Sequence, residues 1–188
     1  MDIVKIKEFI KKNLSPKRYN HSLGVEKTAL KLGEKYNCDL EKLQIAALLH
    51  DCAKNFTDEE LLKHMPQVSI IEKDIYYKQP QLLHGFVGSL IIQQEFGISD
   101  DEIINAVRYH TTGRKNMSVL EKIIYISDYI EPNRVFEGVN ELREIVEMNL
   151  DLGVLEGLNR TIKYTIDKNE LIHPLSVNAR NYILANIK

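Results

Sequence analysis

Apolar residues recur every three or four positions along almost the whole chain, with polar residues between them. This spacing gathers apolar side chains on one face of an α-helix. No segment shows the strict alternation of apolar and polar residues, bounded by hairpin turns, that is typical of β-strands. The pattern therefore predicts an all-α fold.

Capping signals set the limits of the predicted helices. Ser15 and Pro16 suit the N-cap and the first position of a helix, and Thr57 followed by three acidic residues resembles a capping box. Gly153 and Gly157 are expected to bend or break a long helix near the C-terminus. The segment 67–79 is ambiguous. The predicted helices cover about 2–13, 16–36, 40–54, 58–65, 80–96, 100–111, 118–131, 139–168 and 174–187.

Length and composition restrict the classes of function. The 188 residues are 44% hydrophobic and 28% charged, without repeats or flexible linkers, which indicates one globular domain over residues 1–188. The net charge of -2 gives no general basic field for a nucleic acid. No stretch approaches the roughly 20 apolar residues of a membrane span, and the N-terminus does not resemble a secretory signal. We therefore expect a cytoplasmic protein with no nucleic-acid or membrane partner.

Four of the six histidines are predicted to point inward, because their neighbours at helical spacing are apolar or small. A lone inward histidine is usually a hydrogen-bonded core residue, but four together favour a shared site. His64 is expected at the surface or in packing, and His173 is undecided. The inward histidines are His21, His50, His84 and His110.

Two aspartates are also placed on apolar faces. The stretch "AALLHDCAK" ends a predicted helix with His50 and Asp51 side by side, and Asp128 lies on the apolar face of a later helix. A buried carboxylate needs a partner. For Asp128 that partner is either a cation such as Arg134, or a helix end that it caps, or a metal ion.

The combination of these side chains favours the metal. Two imidazoles (His21 and His50) and two carboxylates (Asp51 and Asp128) from three predicted helices suit iron, manganese, cobalt or zinc. The two cysteines lack zinc-finger spacing, so the ligands are nitrogen and oxygen atoms. A metal with open coordination positions activates water and polarises a phosphoryl oxygen. The site therefore predicts hydrolysis of a phosphoester or phosphoanhydride.

The order His21, then His50 with Asp51, then Asp128 resembles the H...HD...D signature of the HD-domain superfamily of metal-dependent phosphohydrolases, which are helical bundles. Longer segments resemble the YqeK-type HD proteins, symmetrical diadenosine tetraphosphate hydrolases of bacteria. Together they reach from residue 19 into the last predicted helix. The segments are "YNHSLGVEKTALKLGEKY", "AALLHDCAKN", "LLHGFVGSLI", "AVRYHTTGRKNMSVLEKIIYISDYIEPNR" and "HPLSVNARNYI".

This resemblance implies cleavage of diadenosine tetraphosphate to two ADP by metal-activated water that attacks a bridging phosphorus. It implies that His21, His50, Asp51 and Asp128 bind the metal, typically iron, and it points to a homodimer. Asp51, His84 and His110 are expected to be catalytic, the two histidines through phosphate contacts or as general acid. The residues implied in nucleotide binding are Asp51, Cys52, Ala53, Lys54, His84, His110, Thr111, Arg134, Glu170, Leu171, Ile172, His173, Pro174 and Leu175.

Several alternatives stay open at this point. His84 and His110 are also suited to a second metal, and Lys54 and Arg134 to solvated helix ends rather than phosphate contacts. Another HD phosphohydrolase would act on a nucleoside monophosphate, a deoxynucleotide or a guanosine alarmone. A nucleotide sensor without catalysis would hold its ligand through the metal. A structural metalloprotein would tolerate replacement of His84, His110 and Arg134 with only a modest loss of stability.

Overall fold

The protein is described by a computed structural model over residues 1–68 and 73–187, and these residues contain helices but no β-strand. The all-α prediction is confirmed. Within the same ranges, no helix is both long and apolar enough to cross a bilayer. The helices are α1 (Ile3–Asn13), α2 (Pro16–Lys35), α3 (Leu40–Leu49), α4 (Asp58–Leu62), α5 (Lys73–Lys78), α6 (His84–Phe96), α7 (Asp101–Tyr109), α8 (Val119–Ile130), α9 (Val139–Met148), α10 (Leu150–Asp167) and α11 (Pro174–Asn186).

The predicted N-caps are confirmed. The Ser15 side chain accepts a hydrogen bond from the N–H of Arg18 at the start of α2. At the start of α4, Thr57 and Glu60 form both reciprocal hydrogen bonds of a capping box. Each cap satisfies N–H groups that have no partner inside the helix, which explains why these helices begin where the sequence places them.

The ambiguous segment 67–79 holds the end of a 3-10 helix, Met65–Gln67, and then α5, while residues 69–72 lie outside the described residues. The predicted helix 80–96 begins as a second 3-10 helix, Pro80–Leu83, and continues as α6 from His84.

The third helix ends earlier than its apolar pattern predicts. Helix α3 stops at Leu49 rather than near Lys54. Beyond it, the N–H groups of Cys52 and Lys54 bond to carbonyl groups only three positions back, those of Leu49 at 3.1 Å and Asp51 at 2.8 Å. The chain therefore tightens into turns at the point where His50 and Asp51 occur.

The long helix predicted over 139–168 is two helices. The break lies at Asn149, which is extended (φ -154°, ψ 120°) and caps α10 with its side chain. Gly153 and Gly157 lie inside α10, so the break is not at either glycine. Gly153 instead permits close packing, because a Cβ atom there would lie 2.4 Å from Val146 Cγ2 on α9.

The chemistry-bearing residues come together because their helices pack on one another. Helix α2 packs against α3 and α8, and α7 packs against α3, α6 and α8. Their apolar faces form a continuous hydrophobic core. His21, His50, His84 and His110 are all buried, which confirms the prediction that these histidines point inward.

Gly85 lies where α6 and α7 approach most closely at the site. A Cβ atom there would lie 2.7 Å from the carbonyl oxygen of Arg108 and 3.2 Å from that of Val107. Backbone atoms inside a packed helix cannot move aside as the end of a flexible side chain can. Because Gly85 follows His84, and the two carbonyl groups precede His110, added bulk would push the two histidines apart.

We therefore expect Gly85→Ala to lower the free energy of unfolding by about 1–3 kcal/mol, the usual cost of overpacking. Gly88→Ala is the matched control in α6, because its Cβ atom would lie 3.3 Å from Cys52 Sγ, and alanine favours the helix. The control should change stability by less than about 1 kcal/mol. Urea denaturation measures both changes, and equal losses would refute the backbone clash.

Candidate functional site

Asp51 lies at the centre of a cluster of buried histidines and is only 2% exposed. Its Oδ1 atom lies 3.1 Å from His84 Nε2 and 3.5 Å from His110 Nε2. Its Oδ2 atom lies 3.9 Å from His21 Nε2 and 3.7 Å from His50 Nε2. One carboxylate therefore faces all four predicted histidines.

Backbone carbonyl groups orient three of the rings. The Nδ1 atoms of His50, His84 and His110 donate hydrogen bonds to the carbonyl oxygens three residues earlier, at 2.7, 2.5 and 2.7 Å. A neutral ring that donates from Nδ1 keeps a lone pair on Nε2. The three Nε2 atoms therefore turn lone pairs toward Asp51, in the orientation needed to ligate a cation.

The Nε2 atoms of His84 and His110 lie too close together for both to carry an unshared lone pair. Their Nε2 atoms are 3.0 Å apart. Two lone pairs at this distance repel each other unless a proton or a cation lies between them. The geometry is consistent both with a shared proton and with a second metal, so it leaves that alternative open.

His21 is oriented by Glu131, a residue that sequence reasoning missed. His21 Nδ1 donates to Glu131 Oε1 at 3.1 Å, while its Nε2 atom faces Asp128 Oδ1 at 2.9 Å. Glu131 is 2% exposed, and its Oε2 atom accepts a hydrogen bond from the N–H of Asn133. A carboxylate behind a histidine fixes the ring and makes it a stronger ligand.

Two arginines complete the surroundings of the aspartates. Arg18 Nη1 lies 3.0 Å from Asp51 Oδ2, and sequence reasoning missed this contact. Arg134 Nη2 lies 2.6 Å from Asp128 Oδ1, and its Nε atom donates to the Asp128 carbonyl group at 2.9 Å. The ion pair that the sequence offered as one explanation for Asp128 is therefore present, together with the contact to His21.

The protonation states of the two aspartates and of His50 suit metal ligation. Burial raises the pKa of Asp51, but the electrostatic interaction with His50 and the contacts with His110 and His84 outweigh it and hold this pKa well below its usual range. Burial raises the pKa of Asp128 as well, and the hydrogen bond from His21 overcomes it, so this pKa is also lowered. Burial lowers the pKa of His50 to about 4. At pH 7 the site therefore offers ionised carboxylates and a neutral imidazole. Burial lowers the pKa of His21, but its contacts with Asp128 and Glu131 outweigh this and raise it, so His21 releases a proton when it binds a metal.

The donor atoms fit a divalent cation. Three groups of histidine and aspartate side chains each place their possible ligand atoms within 4.8 Å of one another. Among residues 1–68 and 73–187, His50 Nε2 is a buried atom without a hydrogen-bond partner. Such an atom is costly unless something binds it, and a cation would do so. The groups are His21 with His50 and Asp51, His50 with His110 and Asp128, and Asp51 with His84 and His110.

A groove of about 1120 Å³ opens from this cluster, and its lining includes His110, Thr111, Asp128 and Arg134. A smaller cavity of about 70 Å³ shares Thr111 with it. The structure therefore brings part of the predicted nucleotide-binding segment close to the cluster. Glu170, Leu171, Ile172 and His173 line the smaller cavity, Leu175 lines another small cavity together with Thr111, and Pro174 begins α11.

The predicted residues 52–54 lie in two different environments. Cys52 and Ala53 are buried in the hydrophobic cores. Lys54 reaches the site, since its Nζ atom lies 3.3 Å from His84 Nδ1. Lys54 is thus the side chain of this segment that a phosphate at the cluster would meet.

His173, which the sequence left undecided, is a buried N-cap. Its Nδ1 atom accepts a hydrogen bond from the N–H of Leu175 at the start of α11. Burial lowers the pKa of His173 to about 4. The folded protein therefore binds a proton here at lower pH than the unfolded chain, whose histidines titrate near 6.5.

This shift predicts a loss of stability in acid. The contribution of His173 is complete above about pH 6.5 and is lost as the pH falls toward 4, because the unfolded state is protonated first. At pH 5 the loss is about 2 kcal/mol. His173→Asn keeps a capping oxygen but does not titrate. Urea denaturation should show that the free energy of unfolding falls less between pH 7 and pH 5 for this variant than for the parent. An equal fall in both proteins would contradict the role of His173.

Comparison with known proteins identifies the family. The HD-domain family model matches residues 18–133, which include the histidine of α2, the His50–Asp51 pair and Asp128. The chain belongs to the HD-domain family. This HD-domain protein is 38% identical, over 96% of both chains, to the symmetrical bis(5'-nucleosyl)-tetraphosphatase of Halalkalibacterium halodurans. The protein of the same name from Bacillus subtilis is 37% identical over 94% of both chains.

A solved structure supports the same family. The crystal structure of a Clostridium acetobutylicum protein, described as a predicted HD superfamily hydrolase involved in NAD metabolism, is 41% identical to this HD-domain protein. The two superpose with a TM-score of 0.93, over 100% of this chain and 99% of that one. The HD fold and the resemblance to YqeK-type proteins are therefore confirmed.

Proposed function

We propose that this HD-domain protein hydrolyses diadenosine tetraphosphate symmetrically to two ADP. The observation that carries the proposal is Asp51, an ionised buried carboxylate that faces four histidines where a large groove begins. This arrangement supports metal-dependent hydrolysis of a phosphoanhydride. The substrate comes from the relatives, which are named as symmetrical tetraphosphatases.

We assign His21, His50, Asp51 and Asp128 as ligands of one divalent metal. Iron is the proposed metal, with manganese, cobalt and zinc as alternatives that the same nitrogen and oxygen donors suit. When bound, the metal polarises a phosphoryl oxygen and lowers the pKa of water. Glu131 holds the His21 ring in the orientation required for ligation.

The remaining side chains bind the phosphates and supply a proton. We assign the phosphates to Arg134, which lines the groove and also fixes Asp128, and to Lys54, which lies beside His84. Cations at these positions offset the charge that develops on the phosphates. We further propose that His84 and His110, whose Nε2 atoms lie 3.0 Å apart, share a proton and transfer it to the departing ADP. Together with Asp51, these histidines are the proposed catalytic residues.

We assign the first nucleoside to the region around Thr111 and the smaller cavity. The segment from Glu170 to Leu175 lies next to this residue, beside the smaller cavity. Threonine hydroxyl groups and the polar groups of this segment are suitable partners for a ribose and a base.

Product analysis tests the proposed function. Purified protein of known metal content is incubated with diadenosine tetraphosphate, and the products are separated by chromatography. ADP as the sole product, absent with Asp51→Ala, is the expected result. ATP together with AMP, or no turnover with any of the four metals, would overturn the proposal and favour another HD substrate or a nucleotide sensor.

We also propose that residues 1–188 act as one HD-type domain, in the cytoplasm and as a homodimer. The match over 96% of the length of a relative supports a single domain. The two free cysteines support the cytoplasm. The homodimer rests on the family resemblance alone. Sedimentation of the purified protein as a single species with the mass of one chain would overturn the homodimer. Recovery of the native protein in a membrane fraction would overturn the location.

Glu131→Gln should weaken metal binding by roughly 10- to 100-fold, the usual effect of removing a carboxylate behind a ligating histidine. The amide keeps the size of the side chain, so the fold should be retained. Metal titration monitored by calorimetry measures the effect. Glu141→Gln, on the exposed side of α9, is the control and should bind metal like the parent. Equal affinity for both variants would refute the role of Glu131.

A further inference from the structure

One face of α10 turns polar and aromatic side chains toward the groove. Their spacing of three or four positions places them in a single row, about 16 Å long. Such a row extends well beyond the cluster around Asp51, and none of its members has a role in the function proposed above. The row consists of Glu156, Asn159, Arg160, Lys163, Tyr164 and Asp167.

The opposite wall is the loop between α8 and α9, from Arg134 to Gly138. Arg160 ties the two walls together, since its Nη1 atom donates to the Gly138 carbonyl group at 2.8 Å and its Nε atom pairs with Glu156. Gly138 has a φ angle of +79°, and a Cβ atom there would lie 2.6 Å from Arg160 Nη1. These contacts fix the position of the loop relative to α10.

The chemistry of the groove changes along its length. Asp128 and Arg134 lie at the end next to the histidine cluster. Farther along α10, Tyr164 is 60% exposed and presents an aromatic ring. Glu137 and Asp167 also line the groove. Carboxylates repel phosphates but accept hydrogen bonds from ribose hydroxyl groups and from the amino group of adenine. Arg160 and Lys163 line the groove as well, but Arg160 is already paired with Glu156 and the Gly138 carbonyl group. The charges beyond Arg134 are therefore mixed rather than strongly positive, which suits a nucleoside better than a phosphate chain.

We propose that this groove binds the second nucleoside of the dinucleotide, with Tyr164 stacked on its base. The inference rests on the proposed function, because symmetrical cleavage places one ADP on each side of the reacting phosphorus. The proposed function assigns one of the two nucleosides to the region of Thr111 and the segment from Glu170 to Leu175, which leaves the other without a site. An aromatic face recognises any base by stacking, so Tyr164 contributes affinity rather than selectivity among bases.

Two analogues that resist cleavage test the groove by binding alone. One is diadenosine tetraphosphate with a methylene group at the central bridge, and the other is the same tetraphosphate chain with a single adenosine. Loss of one stacked base weakens binding by about 5- to 100-fold. Tyr164→Ala should therefore weaken binding of the first analogue by this factor and leave the second unchanged. Tyr164→Phe, which keeps the aromatic ring, should bind the first analogue with the affinity of the parent.

Tyr77→Ala is the matched control, because Tyr77 is 61% exposed on α5 and is not among the residues that line the groove. It should bind both analogues like the parent. If Tyr164→Ala leaves both affinities unchanged, or weakens both equally, the inference is wrong. A parent protein that binds the first analogue but does not cleave diadenosine tetraphosphate would refute the proposed function, while the comparison of affinities would still decide the groove.

Discussion

Asp51→Asn is expected to lower the turnover of diadenosine tetraphosphate by at least about 1000-fold. The carboxylate of Asp51 faces four histidine Nε2 atoms and Arg18, so its negative charge is the centre of the site. A bound metal contributes several kcal/mol to the stabilisation of charge in phosphoryl transfer, and loss of its central ligand removes most of this contribution. Asparagine keeps the size but not the charge of the side chain.

Steady-state kinetics and metal analysis of the same preparation measure this effect. Asp101→Asn, on the exposed first turn of α7, is the control and should match the parent in both. Circular dichroism establishes whether the Asp51 variant retains its helices. A folded variant that keeps its metal and more than a tenth of the parent turnover would show that Asp51 is not the central ligand.

The inward histidines and most helices were predictable because both depend on local pattern. Apolar neighbours at helical spacing fix the face on which His21 and Asp128 lie, whatever the rest of the chain does. The turn after α3 was not predictable in this way. The apolar pattern predicts a helix past Leu49, but the chain leaves the helix there, and both His50 and Asp51 lie in the buried cluster.

Contacts between helices were harder to predict, because the sequence does not say which charged residues meet. Arg18 lies three residues before His21, and Glu131 three residues after Asp128, so each had a signal at helical spacing. Charged residues at such positions are usually solvated, and only the packing of α2 against α3 and α8 shows that Glu131 is buried and Arg18 half-buried. The break at Asn149 had a weaker signal, since asparagine is one of several common N-caps.

Removal of the metal should abolish turnover while the protein stays folded. Carbonyl groups hold His50, His84 and His110 in place through Nδ1, and these contacts need no metal. The protein should therefore differ from small zinc domains, which unfold without their ion. After dialysis against a chelator, circular dichroism should be unchanged, and readdition of metal should restore ADP formation. The melting temperature should then rise with metal concentration, because a ligand that binds only the folded state stabilises it.

Parallel reconstitution with iron, manganese, cobalt and zinc identifies the metal that supports turnover. The proposed function predicts the highest rate with iron. The Asp51→Asn variant provides the control, since its melting temperature should respond to none of the four metals at concentrations that stabilise the parent. Chelated protein that contains no metal yet forms ADP at the parent rate would refute the metal site. In that case the shared proton of His84 and His110, together with Arg134, would have to account for the whole reaction.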